Sequence, residues 1–247
     1  MAILLLILLS SGILGWVLIA DSQTDSDKLQ VENQQRIVLV HGFGRGKMAM
    51  WRIAGRLEDA GYIVHRIGYQ TINRTVNEVI DDVSKQINDC CIESNTTVHF
   101  VGHSMGGLMI RAYLQKNKFK PLGKTVMIGT PNKGTTVADE FKDSHIVKSI
   151  LPIGLSLGTD ASSFPNQLDV PYYPVGIIAG IVDNDSNNGY LPGPDDGLVA
   201  VESTKVPGMA DFILIETSHT MMRYNEEVAK QVITFLKQGK FEHKPNE

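Results

Sequence analysis

The sequence predicts an α/β domain: a mostly parallel sheet with helices on both faces and a short cap inserted over one end. Two observations carry this. Short apolar runs alternate along the chain with longer stretches whose apolar residues recur at spacings of three and four. The short runs are apolar nearly throughout rather than at every second residue, the pattern of strands covered on both faces.

Each element follows in order. Residues 36–40 (RIVLV) read as a buried strand, and residues 49–60 as a helix through Met50, Ile53, Ala54 and Leu57, ended by Gly61. Residues 62–69 (YIVHRIGY) form the next strand. Val76, Val79, Ile80, Val83 and Ile87 give an amphipathic helix. Strands follow at 97–101, 124–129, 174–179 and 212–216, with helices at 106–116 and 225–238. Residues 131–172 break the alternation and read as the cap. Its apolar stretch 146–157 (IVKSILPIGLSL) suits either the wall of an acyl pocket, lipid contact or packing on the sheet. The tail, 240–247, is charged and reads as disordered.

Composition bounds the partners. The chain has 247 residues, with 23 basic and 27 acidic side chains and a formal net charge of −4. That balance argues against a dedicated nucleic-acid binder, which presents a basic face. Every charged side chain lies in residues 21–247; residues 2–20 (AILLLILLSSGILGWVLIA) have none. As a helix at ~1.5 Å per residue that run spans about 28 Å, near the thickness of a bilayer core. It reads as a membrane anchor, because no Lys or Arg precedes it and Leu18 is bulky for a cleavage site ending at Ala20. The alternative is a cleaved signal peptide and a secreted protein. Residues 21–34 read as a polar stalk, and its acidic flank places the following domain outside the cytoplasm. The two cysteines, Cys90 and Cys91, are adjacent. They are expected not to pair, because disulfide geometry is hard to reach across one peptide bond.

The chemistry is concentrated at Gly102-His103-Ser104-Met105-Gly106, a G-x-S-x-G pattern between a strand and a helix. The glycines allow a tight turn, so the Ser104 hydroxyl stands at the carboxyl end of the sheet and at a helix N-terminus. His41-Gly42-Phe43-Gly44-Arg45-Gly46 follows the first strand. There the Phe43 N–H, with the Met105 N–H, can bind an oxyanion. The phosphate-loop and dinucleotide spacings both fail in this loop, so no cofactor is expected. No metal spacing occurs either. Of the seven histidines, His219 lies on the loop after the last strand, in reach of Ser104 as general base. His65 and His99 fall inside strands and read as structural. The orienting acid should lie between Ser104 and His219. Asp196 is the first choice, with Asp195 and Asp183 as alternatives.

HGFGRG, VGHSMGG, IGTPNKGT, DDGLVAVEST and SHT resemble the α/β-hydrolase superfamily. Within it they are similar to small-lid bacterial lipases and esterases and to the inositol-deacylase lipase group. The resemblance covers residues 36–239 and places an α/β-hydrolase domain at 35–239. It implies a Ser104–His219–Asp196 triad, an oxyanion hole at Phe43 and Met105, and hydrolysis of carboxylic esters, lipid-like ones in particular, through an acyl-enzyme. The doubled aspartate leaves Asp195 open. Acyl transfer or thioester cleavage on the same residues, or a tethered binding protein that has lost activity, are the alternatives.

Overall fold

The computed structural model describes residues 34–182 and 191–244. The candidate anchor, most of the stalk and Asp183 lie outside them. The chain divides into two units, 1–34 and 35–247, and the second holds the fold. Six strands, β1 (Arg36–Val40), β2 (Ile63–Ile67), β3 (Val98–His103), β4 (Leu122–Ile128), β5 (Val175–Ile181) and β6 (Asp211–Glu216), form one sheet in the order β2-β1-β3-β4-β5-β6. All neighbouring strands are parallel. The reversal beside β1 leaves the carboxyl ends of β1 and β3 next to each other, where parallel sheets place their sites.

Both faces are covered, which explains the continuous apolar runs. In β1, Val38 and Val40 face α2 (Val76–Cys91) and α3 (Met105–Lys116). Ile37 and Leu39 face α1 (Trp51–Asp59) and α8 (Glu226–Gln238). α1 is preceded by a 3-10 turn, Lys47–Met50, whose last two residues fall in the stretch that the sequence reads as one helix. Local signals start and stop the helices. Thr75 and Glu78 form a reciprocal capping box at α2, and Gly239, in left-handed conformation, ends α8.

Two sequence expectations change here. Cys90 and Cys91 are joined in a disulfide at the end of α2. They are the last two residues of the helix, whose bonding runs on to the Ile92 N–H, which donates to the Asn88 carbonyl. Residues 240–244 are not loose. Phe241 is buried against Phe235, and its N–H donates to Asp211 Oδ2 at 2.7 Å. Gln231 exchanges hydrogen bonds with the backbone of Glu242 in both directions.

The cap comprises α4 (Thr136–Glu140), α5 (His145–Ile150), α6 (Pro152–Leu155) and a 3-10 turn, Phe164–Gln167. Its two ends are gathered by one buried side chain. Arg111 on α3 donates from Nη1 to the Asn132 carbonyl and Oδ1, and from Nη2 to the carbonyls of Leu168 and Asp169. A guanidinium suits this because its fixed fork reaches several acceptors at once.

His65 and His99 are structural, as expected. His65 accepts from Arg36 at 3.1 Å. His99 donates from Nε2 to Gln35 Oε1 and accepts the Lys124 N–H at Nδ1. Burial, then the charge of Lys124, push its pKa down to about 4. A depressed folded pKa means that the unfolded chain binds the proton first as pH falls. We therefore expect stability to decline as pH drops from about 6.5 to about 4. In denaturant titrations across that range, His99→Gln should flatten the decline.

Candidate active site

The site begins with a strained residue. Ser104, between β3 and α3, has φ 55° and ψ −129°, and only one other non-glycine residue described, Asn73, has positive φ. Such a conformation costs on the order of 1–3 kcal/mol and persists only where surrounding structure enforces it. The enforcement is visible. The Ser104 N–H donates to the Ile128 carbonyl at 2.8 Å, and its own carbonyl accepts from the Gly107 N–H at 3.0 Å. A Cβ on Gly102 would lie 2.5 Å from the Gly107 nitrogen, and one on Gly106 would strike the Val40 and His41 carbonyls. Those two glycines let α3 start directly against β1 and β3.

The loop after β6 brings His219 over this turn. His219 Nε2 lies 2.9 Å from Ser104 Oγ, and Nδ1 lies 2.7 Å from Asp196 Oδ2. A carboxylate only accepts, so Nδ1 carries the proton and Nε2 is left to accept from the serine hydroxyl. All three side chains are buried. Asp196 is further fixed by the N–H groups of Leu198 and Val199, both donating to Oδ1, and its carbonyl accepts from the His219 N–H. Asp195, the neighbouring alternative, turns away: its Oδ1 accepts from the Gly197 N–H, and its backbone bridges Ala200. The structure thus brings together Ser104, His219 and Asp196, and leaves Asp195 out.

Met105 is the first residue of α3, so its N–H has no partner within the helix. Phe43 lies on the loop after β1, and its ring lines a cavity together with Ser104. Gly42 is packed so closely that a Cβ there would lie 2.9 Å from the Ser104 Cβ. The loop is held by residues that sequence reasoning assigned no part. His41 donates from Nδ1 to the Gly42 carbonyl and accepts the Tyr69 N–H at Nε2, while the Tyr69 hydroxyl donates to the His41 carbonyl at 2.5 Å. The two rings stack with centroids 4.2 Å apart. Burial lowers the His41 pKa and raises that of Tyr69, so both rings stay neutral.

His103 is the other missed residue. Its Nε2 donates to the His219 carbonyl at 2.9 Å, and burial, then the charge of His219, hold its pKa down to about 3. A neutral imidazole thus steadies the backbone of the His219 loop. No signal in the sequence distinguishes it, since the contact spans 116 positions.

The cavity beside Ser104 measures about 200 Å³. Its walls are apolar, including Val137, Val147, Leu151, Leu155 and Leu198. The stretch 146–157 therefore does two jobs: Val147, Leu151 and Leu155 line the cavity, while Ile153 is buried in the core. Among the described residues, the one cluster with metal-ligating side chains is His65, Cys90 and Cys91. Its sulfurs are committed to the disulfide.

The close approach at Gly106 gives a direct test. Gly106→Ala should destabilise the fold by about 1–3 kcal/mol through overpacking. The denaturation midpoint in urea measures it.

Comparison with known proteins places this arrangement. No significant relative is found among curated protein sequences. The fold is shared with solved hydrolases. A Bacillus licheniformis lipase in mature form is 17% identical with TM-score 0.65, over 83% of this chain and 92% of that one. A phospholipase from Legionella pneumophila, in complex with thio-NAD, is 14% identical with TM-score 0.65, over 84% of this chain and 59% of that one. A metagenomic carboxyl esterase is 16% identical with TM-score 0.56, over 76% and 65%. The family model described as palmitoyl protein thioesterase matches residues 36–161, from β1 through the Ser104 turn into the cap. With half of its length matched there, the chain belongs to the palmitoyl protein thioesterase family, on an α/β-hydrolase fold that it shares with lipases and esterases.

Proposed function

We propose that the protein hydrolyses acyl esters, lipid-like ones in particular, through a Ser104–His219–Asp196 triad. The observation that carries this is the continuous contact from Ser104 Oγ through His219 to Asp196, at 2.9 and 2.7 Å. Ser104 Oγ attacks the acyl carbonyl while His219 Nε2 takes its proton. Asp196 holds the imidazole in the required tautomer and stabilises the imidazolium that forms. The N–H groups of Met105 and Phe43 receive the oxyanion as it develops. His219 then returns its proton to the departing group, leaving an acyl-serine. Water, deprotonated by the same imidazole, releases the acid.

A thioester substrate is the second reading, favoured by the family match. The acyl-enzyme is the same for both, and only the departing group differs. The apolar cavity supports an acyl chain in either case. Residues 2–20 lie outside the described residues; among those described, no helix is long and apolar enough to cross a membrane. We infer from the uncharged run that it anchors the enzyme, with the catalytic domain outside the cytoplasm.

Three experiments test the reading. A fluorophosphonate probe should label the wild type and fail on Ser104→Ala. Asp196→Asn should lower kcat by about 10³–10⁴-fold, and Asp195→Asn far less; an equal or larger loss for Asp195 would reassign the acid. In a panel of p-nitrophenyl esters and acyl thioesters from acetyl to palmitoyl, Leu155→Trp should shift preference toward short chains. The loss should be about fourfold in kcat/KM for each methylene displaced from the cavity. A profile that the substitution leaves unmoved would put the acyl chain elsewhere.

A further inference from the structure

The surface beside the cavity carries a charge pattern that the hydrolytic chemistry does not use. Although the chain is net acidic, residues 36–57 contain five basic side chains and no acidic one. Arg45, Lys47 and Arg52 are exposed, as is Arg66 on the edge strand β2. Among the described residues none of these four is in an ion pair. Two large apolar side chains stand among them: Met48 is 62% exposed and Trp51 49%. Met48, Trp51 and Arg52 are spaced i, i+3 and i+4, so they share one face of the turn that leads into α1. The Arg66 guanidinium reaches Met48 Sδ at 3.8 Å, which draws β2 into the same face. The Arg52 guanidinium lies 4.7 Å over the Trp51 ring. An acid on a facing element, Asp89, lines a hollow with Lys47 and Arg66 and is itself paired with Lys85.

The position matters as much as the charge. Arg45 is two residues beyond Phe43, which lines the cavity with Ser104, so the patch stands at the carboxyl end of the sheet. Met221, 52% exposed, follows His219 by two residues. Arg223 donates to the Ala49 carbonyl at 3.5 Å, which brings that loop alongside the patch.

We propose that this face docks on an anionic lipid surface, apart from whatever residues 2–20 do. Lys and Arg are drawn to acidic headgroups, while an indole and a thioether reach the acyl boundary below them. An acidic protein or nucleic acid would match the charges but would leave Met48 and Trp51 without an apolar sink. Docked in this way, the cavity mouth stands at the interface where acylated substrates reside.

The test uses the full chain with Trp16→Phe, so that Trp51 is the sole tryptophan. Its fluorescence is followed with vesicles of brominated phosphatidylcholine, with and without phosphatidylserine. The expected result is quenching of Trp51 only when phosphatidylserine is present, relieved by added salt. Lys47→Gln and Arg66→Gln should each weaken the response about fivefold. No quenching, equal quenching on neutral vesicles, or no effect of the two substitutions would overturn the proposal. So would retention on heparin without a vesicle response, which would assign the face to an acidic macromolecule. Fluorophosphonate labelling of Ser104 in the same samples separates the outcomes. Labelling without quenching overturns docking alone, and quenching without labelling overturns the hydrolase reading alone.

Discussion

The positive φ of Ser104 is the constraint on which the site depends. A backbone that turns so sharply between β3 and α3 must be held from outside, and every neighbouring element contributes. β4 supplies the Ile128 carbonyl, β1 presses against Gly106, and the loop after β1 closes on Ser104 Cβ through Gly42. The same compression that forces the turn also places the hydroxyl, the start of α3 and the Phe43 loop within one small volume. Position and strain therefore have a common cause.

Around that turn the site is built from neutral, buried rings as much as from charged groups. His41, Tyr69 and His103 are all kept uncharged by burial. Each spends its hydrogen bonds on backbone groups, those of the two loops that flank Ser104 and that of Tyr69 itself. A charged group in these places would compete electrostatically with the buried His219–Asp196 pair. Neutral imidazoles fix loop backbones without disturbing that pair.

Much of this was legible in the sequence, and the limits have physical reasons. The six strands and the four helices that cover the sheet were readable because burial on both faces leaves unbroken apolar runs, whereas the short helices of the cap and Val201–Thr204 carry no such pattern. Ser104 was readable because its glycines and flanking elements are local, and His219 because chain order places it after the last strand. The sequence favoured Asp196 but left Asp195 open. Adjacent residues point apart, and the direction is set by a bridge from Asp195 to Ala200 together with the turn at Gly197. His103, Tyr69 and Arg111 act across 116, 28 and 57 positions, and no local pattern records such contacts. The packing of residues 240–244 goes unread for the same reason, since their partner, Asp211, lies thirty positions upstream. The Cys90–Cys91 pair is a different case: the residues are adjacent, and the general expectation against such a disulfide does not hold here.

The Arg111 clamp has a consequence for how such a cap can change. Because one guanidinium on the nucleophile-bearing helix gathers both Asn132 and Leu168–Asp169, the cap is a closed loop with a fixed base. Lengthening a loop whose ends are already together is cheap: each doubling adds only about 0.6 kcal/mol of closure entropy. Residues between the clamped ends can thus be added, removed or exchanged without pulling on the Ser104 turn. The cavity walls are free to diverge while the residues beneath them keep their geometry.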